Sequence, residues 1–290
     1  MRFARIAFAT RQPAIAGVAL AISVFIAAPV GAQEQVEPDQ PDVTNGTHIV
    51  DAGLLQVEMG GVYVRYDSTS RAGGSPITAR LGLTDWLEAR IGSDGLLIQS
   101  NGLTSVTGIG NLQLGAKVRL WPGEGGVPVL AILPAVNVPT ASSAKGLGSG
   151  VADYVVSLLT GTDLGRHSHV DMNYGIGRIG DATTGGHFTQ NLVSVSFSSA
   201  VSDNWNPYFE AFWLSRQAPG GGPVVAIDGG AIYELGSRYA LDAGVQVGLT
   251  NDAPAFSAFG GISVVIGNIL GGHGVHARFR RKAPPPEPRR

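Results

Sequence analysis

Charged side chains are scarce in this sequence, and those that recur in a strand-like rhythm are the first candidates for chemistry. Arg80, Glu88 and Arg90 hold matching positions on two neighbouring segments that alternate apolar and polar residues. Lys117 and Arg119 do the same on a third. A strand sends successive side chains to opposite faces, so all five fall on one side of a sheet. Later segments carry Glu210, Asp228, Glu234 and Asp242 on the equivalent face, and the first segment carries Glu58. Basic groups thus gather on one wall and acidic groups on the other. Inside a closed sheet this arrangement has two readings. One is a constriction with a transverse field, passing polar or dipolar solutes and biasing ion selectivity. The other is pairing across a narrow lumen that holds it shut, because an inward charge without partner or water is costly.

Other chemistry fares worse. The six histidines are His48, His167, His169, His187, His273 and His276. His167 and His169 share a short turn, with Asp171 as the one obvious third ligand, which is thin support for a metal site. No GxSxG motif and no phosphate-cradling glycine loop occurs. Cysteine is absent, which excludes a disulfide framework and thiolate metal sites. The expectation is no catalytic residue, no metal and no cofactor.

The segments that must position these charges alternate throughout the chain. Asn111 to Trp121 sets the pattern: Leu112, Leu114, Ala116, Val118 and Leu120 oppose Asn111, Gln113, Gly115, Lys117 and Arg119. About ten such residues form a tilted strand across a bilayer. Similar runs span 55–66, 77–83, 87–93, 128–138, 154–164, 170–176, 192–201, 208–214, 224–235, 239–250 and 256–266. Around Thr84-Asp85-Trp86, only an odd loop keeps Leu81 and Ala89 on one face and Arg80, Glu88 and Arg90 on the other. The expected fold is all-β: a transmembrane antiparallel up-and-down β-barrel of about 12 strands.

The connections sort by length. Those after even-numbered strands are compact, whereas those after odd-numbered strands include long Gly- and Ser-rich stretches such as 94–108 and 139–152. That asymmetry is typical of outer-membrane barrels, short turns facing the periplasm. Trp86, Trp121, Trp205, Tyr208, Tyr233 and Tyr239 cluster beside the short turns, where an interfacial aromatic girdle belongs. A soluble all-β protein has no reason to collect aromatics at one level.

Composition agrees. Charged residues make up 14% of the 290 and glycine accounts for 42, about twice its usual share. Arg2, Arg5 and Arg11 precede an apolar run to Ala28, and Val30 and Ala32 fit a cleavage site before Gln33. Residues 1–32 therefore read as a signal peptide and 33–53 as a polar periplasmic lead-in. Residues 54–267 read as the barrel and 268–290 as a basic, Pro-rich tail. Removing the signal takes away three arginines and no acid, so the mature chain is acidic and nothing in it calls for nucleic acid. The tail reads either as a solvated arm or as a contact to anionic cell-wall polymer or lipid.

Several stretches resemble one family. Pro41 to Gly46 followed by GLLQVEMGGVY is similar to the start of the phenol-degradation meta-pathway family of outer-membrane transporters. GLTDWLEARIG (Gly82 to Gly92), GIGNLQLGAKVRLW (Gly108 to Trp121) and GLTNDAPAFSAFGGISV (Gly248 to Val264) resemble it too. The resemblance implies a barrel in the outer membrane of a Gram-negative bacterium and passage of small solutes, aromatic or hydrophobic compounds among them. It transfers no catalytic residue. Expected partners are the outer-membrane lipid bilayer, the barrel-assembly machinery and a small-molecule solute. The lumen-lining expectation is Arg80, Glu88, Arg90, Lys117, Arg119, Glu58, Glu210, Asp228, Glu234 and Asp242. A closed structural or partner-binding barrel is the alternative, and a barrel enzyme acting on envelope lipid is a third reading.

Overall fold

The computed structural model describes residues 36–39, 43–124 and 126–270. The expected signal peptide with its cleavage near Ala32, and the tail beyond Leu270 with His273 and His276, lie outside the described residues. The first half contains β1 (Leu54–Arg65), β2 (Arg71–Gly74), β3 (Ile77–Thr84), β4 (Leu87–Ser93), β5 (Leu96–Ser100), β6 (Ser105–Ile109) and β7 (Leu112–Trp121). The second half contains β8 (Val129–Val138), β9 (Asp153–Leu164), β10 (Ser168–Gly180), β11 (His187–Ser199), β12 (Trp205–Leu214), β13 (Val224–Leu235), β14 (Tyr239–Gly248) and β15 (Phe256–Asn268). All pairings between them are antiparallel, and β15 pairs with β1 from Leu54↔Asn268 to Arg65↔Phe256, so the sheet closes. Closure pairs β1 and β15 along their length, as a hydrocarbon environment demands.

Three wall positions are each shared by two short strands. β1 pairs with β3 through Leu55–Met59 and with β2 through Val62–Arg65. In the same way β5 continues β4, and β6 leads into β7. Counted around the wall, the described residues make a barrel of twelve strand positions. The interruption has a cause in each chain segment. Pro76 has no N–H to give to a ladder. Gly95 takes φ +63°, and a Cβ there would lie 1.9 Å from the Ser75 carbonyl oxygen. The Asn111 N–H, released from regular pairing, donates to Asp94 Oδ2 at 3.1 Å.

The expected loop over 94–108 is therefore a hairpin, β5–β6, turning at Asn101–Thr104. Asn101 Oδ1 caps that turn by accepting the N–H groups of Leu103 and Thr104 at 3.1 and 2.9 Å. Its residues lack an apolar rhythm, yet they ladder because the neighbouring strand continues beside them. β10 and β11 likewise run past the expected ends at Ile176 and Leu192, to Gly180 and back to His187. Beyond the lipid band a strand needs a partner, not an apolar face. The loop over 139–152 folds onto the hairpin, burying Ala141 and Leu147 against Leu97.

Face assignment follows the alternation. Leu114, Tyr154, Val156, Leu158, Met172, Tyr174, Ile176, Val193, Val195 and Phe197 point outward and are exposed, as a lipid-facing band requires. Arg80 pairs with Arg90 and Leu81 with Ala89, as expected, but the loop is not Thr84-Asp85-Trp86. Thr84 pairs with Leu87 around the two-residue turn Asp85-Trp86, and a register shift between Gly82 and Thr84 supplies the odd residue that keeps the faces matched. Trp86, Trp121 and Trp205 stand out from the wall near the short turns, and Trp205 packs on Tyr233 with ring centroids 5.0 Å apart. Tyr208 corrects the girdle expectation. Its parity on β12 turns it inward, where it is buried with its hydroxyl beside Gly230 and Gly244.

The larger correction concerns the lead-in. Read from sequence as a polar segment outside the barrel, residues 36–39 and 43–51 lie inside it. Val36 donates its N–H to Ser237 O at 2.7 Å, in the short β13–β14 turn. Val36 and Val50 pack with Leu54, Ala240 and Val265 in an apolar cluster. Fully burying such a side chain stabilises by about 1.5–3 kcal/mol. Thr44 and Asn45 reach the opposite wall before the chain returns to β1.

Candidate functional site in the barrel lumen

The inward residues of β1, β3, β4 and β7 build a seat for that segment. Arg80 is fully buried, with Nη1 donating to Glu58 Oε1 at 2.6 Å and Nε donating to Glu88 Oε1 at 3.0 Å. Its Nη1 also donates to the Glu37 carbonyl at 2.9 Å, and its Nη2 lies 2.9 Å from His48 Nε2. Arg90 donates to Glu88 at 2.6 Å, to Asn45 Oδ1 at 3.2 Å and to Asp39. Lys117 is equally buried and donates to Asp39 Oδ2 at 2.7 Å, the Gly46 carbonyl at 2.6 Å and the His48 carbonyl at 3.1 Å.

Three cations, Arg80, Arg90 and Lys117, thus meet three carboxylates, Glu58, Glu88 and Asp39. Two of those acids come from the barrel and the third from the inserted segment. Burial alone would push the Asp39 carboxyl up, but Arg80, Lys117, Arg90 and His48 outweigh it and hold the group well below the usual carboxylate range. Burial pushes the His48 imidazole below its ordinary value, against the pull of Glu37 and Asp39, with Arg80 and Lys117 adding to the depression. Backbone groups complete the seat. Val50 donates its N–H to Glu88 Oε2 at 2.9 Å, and Ala52 bridges to Gly82. A Cβ at Gly82 would lie 2.1 Å from the Val50 carbonyl oxygen, so only glycine lets the segment pass there.

The far wall holds the tip. Glu210 accepts the Val43 and Thr44 N–H groups at 3.1 and 2.8 Å, and Thr44 Oγ1 donates to Ser194 Oγ at 2.8 Å. Asn45 donates its N–H to Asn173 Oδ1 at 2.7 Å and accepts from Asn173 Nδ2 at 3.0 Å. A cavity of about 490 Å³ remains on the long-loop side of the tip. Val43, Val62, Val64, Leu192, Phe212 and Phe259 line it, with Asp228 and Asp242 among them.

The ten residues singled out in the sequence therefore divide. Glu58, Arg80, Glu88, Arg90 and Lys117 come together in the seat. Glu210 binds the tip, and Asp228 and Asp242 face the cavity. Arg119 stands apart near the short-turn rim, donating to the Asp85 carbonyl at 3.1 Å. Glu234 sits near the same rim, where its backbone exchanges hydrogen bonds with Asn204. Two opposed walls facing each other across a gap are not what the structure contains: the basic wall meets acids of its own. The sequence reading missed Asp39, His48, Thr44 and Asn45. One signal pointed to them: buried cations need acids, and Asp39 lies just ahead of the first strand.

His169 lies 2.7 Å from Asp163 Oδ1 and 3.2 Å from Asp171 Oδ2 at the β9–β10 turn. Among the described residues no group of three or more His, Cys, Asp or Glu is placed to hold a metal.

Residues 38–266 match the model of a family described as "Putative MetA-pathway of phenol degradation". A search of the curated proteins finds no match. Among solved structures, an outer membrane channel from Pseudomonas putida F1 is similar with a TM-score of 0.61 at 14% identity, over 80% of this chain and 100% of that one. The NanC porin is similar with a TM-score of 0.50 at 10% identity, over 72% of this chain and 98% of that one. At these identities the likeness is one of fold.

Proposed function

The chain belongs to the MetA-pathway family of phenol degradation, and from that premise we propose an outer-membrane channel for small solutes, closed by its own N-terminal segment. The solutes are small aromatic or hydrophobic compounds. The observation that carries this reading is the cavity of about 490 Å³, apolar over much of its lining, with Val43 of the inserted segment in its wall. Its size falls in the range that buries a small organic ligand. A solute entering from the long-loop side meets that cavity first and the seat beyond it. Passage requires residues 36–39 and 43–51 to leave the seat or shift within it, because hydrogen bonds from this segment span the lumen from Glu88 to Glu210.

The reading includes export by the signal peptide of residues 1–32 and insertion by the barrel-assembly machinery. It gives the basic tail contact with anionic cell-wall polymer, and it needs no catalytic role. The test is single-channel conductance of the purified mature protein in planar bilayers, with and without residues 36–51. Small or rare openings that become large and frequent on deletion support a gated channel. Silence from both proteins, each still folded by its heat-modifiable gel mobility, would sink it. That silence would favour the second reading, a closed structural barrel, which the saturated ion pairs of the seat also fit.

A further inference from the structure

Charge is distributed unevenly along the lumen. In the seat, three cations and three carboxylates neutralise one another. On the far wall, Glu210, Asp228 and Asp242 are all buried, and no described ion pair reaches any of them. Glu210 is satisfied by the Val43 and Thr44 N–H groups. Asp228 and Asp242 meet no such donors: Oδ1 of Asp242 is buried without a hydrogen-bond partner, and Asp228 has only the Glu210 carboxyl beside it to share a hydrogen bond. The cross-strand neighbours of Asp228 are Glu210, another carboxylate, and Gln246. Both aspartates line the cavity. A third acid there, Asp94, differs because it accepts the Asn111 N–H.

Buried carboxylates are paired or hydrogen-bonded almost without exception, so two that meet no cation and face a cavity mark a place for a donor. The surroundings narrow the donor. Phe212, Phe259, Leu192 and Val62 offer apolar area, and aromatic faces also attract cations. Asp228 lies opposite Gln246 and Asp242 opposite Ile232, with the Gly230–Gly244 pair midway between them. Four residues of strand separate the two acids, about 14 Å at the usual rise. They form two successive posts along the lumen, with space between them where glycine leaves out side chains.

We infer that this cavity takes a small organic cation, a protonated amine on an aromatic body, with its ammonium on Asp228 or Asp242 and its ring against the apolar wall. Aromatic carboxylates are repelled from the same site. The inference rests on the channel reading above for its route but not for its binding chemistry. The test is calorimetric titration of the full mature chain in detergent at neutral pH with three probes of one shape: phenethylammonium, phenethyl alcohol and phenylacetate. Hydrogen bonds to charged groups exceed neutral ones by enough to favour the ammonium over the alcohol by roughly tenfold. Phenylacetate is expected not to bind.

In the D228N/D242N double variant the ammonium preference is expected to vanish, and in D228E/D242E to persist. Folding of each variant is checked by its heat-modifiable mobility. Equal binding of the three probes, tighter binding of phenylacetate, or no binding of phenethylammonium would overturn the inference. Conductance separates the two claims. A conducting protein with no ammonium preference keeps the channel reading and loses this one, and ammonium binding by a protein that never conducts does the reverse.

Discussion

The wall made by β1, β3, β4 and β7 and the wall made by β12 to β14 handle buried charge in opposite ways. On the first, every cation of the seat has a carboxylate within 3.0 Å, and the inserted segment supplies one of those acids. On the second, neither Asp228 nor Asp242 meets a cation among the described residues, and Asp228 has only the Glu210 carboxyl beside it. Both walls bury their charged side chains, so burial alone does not distinguish them. What differs is whether the chain itself brings the counter-charge. Where it does, the lumen is closed and self-sufficient. Where it does not, an unfilled space adjoins the acids.

The largest expected break in this contrast is Arg80→Leu. It takes the guanidinium away from Glu58 and leaves Glu88 with Arg90 alone, and breaking a buried ion pair of this kind costs about 3–5 kcal/mol. The expected readout is release of the N-terminal segment, seen as protease access near His48 and as larger conductance. Unchanged protection would show that the seat does not hold the segment. The second effect has the opposite sign. Asp228→Asn with Asp242→Asn replaces two buried carboxyls that meet no cation with neutral amides and is expected to raise the urea midpoint, corresponding to about 1 kcal/mol or more of stability. A lowered midpoint would mean that these acids are already paired in the folded protein.

Thr44→Val tests the tip alone. It removes the hydroxyl that donates to Ser194 and is expected to loosen the segment by about 1 kcal/mol while leaving the barrel midpoint unmoved. The smallest effect is that of pH. His48 has a depressed value in the folded protein, so its contribution is complete above its ordinary value of 6.5 and declines as pH falls below that. Asp39 is depressed as well, so its contribution is complete above 3.8 and disappears on further acidification. Protease access to the segment is therefore expected to rise gently below pH 6.5 and steeply below pH 3.8. His48→Gln should flatten the first step only.

Much of this was legible beforehand. The alternation in 111–121 and its repeats carry the strand count, the faces and the β3–β4 register, because one misplaced residue would turn an apolar face into the lumen. The same parity brought Arg80, Glu88, Arg90 and Lys117 to one wall. Less was legible where alternation lapses. The β5–β6 hairpin and the outer ends of β10 and β11 form because neighbouring strands continue beside them, which no local pattern announces. Tyr208 was assigned to the girdle from its place beside a short turn, whereas its parity on β12 decides its direction.

The sequence by itself determined a closed, lipid-facing sheet with charged inward positions, since period-two patterning is a local property that every strand repeats. Only the tertiary structure decided which charges meet. Glu58 joins the basic wall because β15 closes onto β1 and leaves β1 beside β3. Asp39 reaches Lys117 across 78 positions of chain because the lead-in threads the lumen. Nothing periodic marks that segment. Its place follows from the need of buried cations for acids, and that need is met only once the barrel has closed around them.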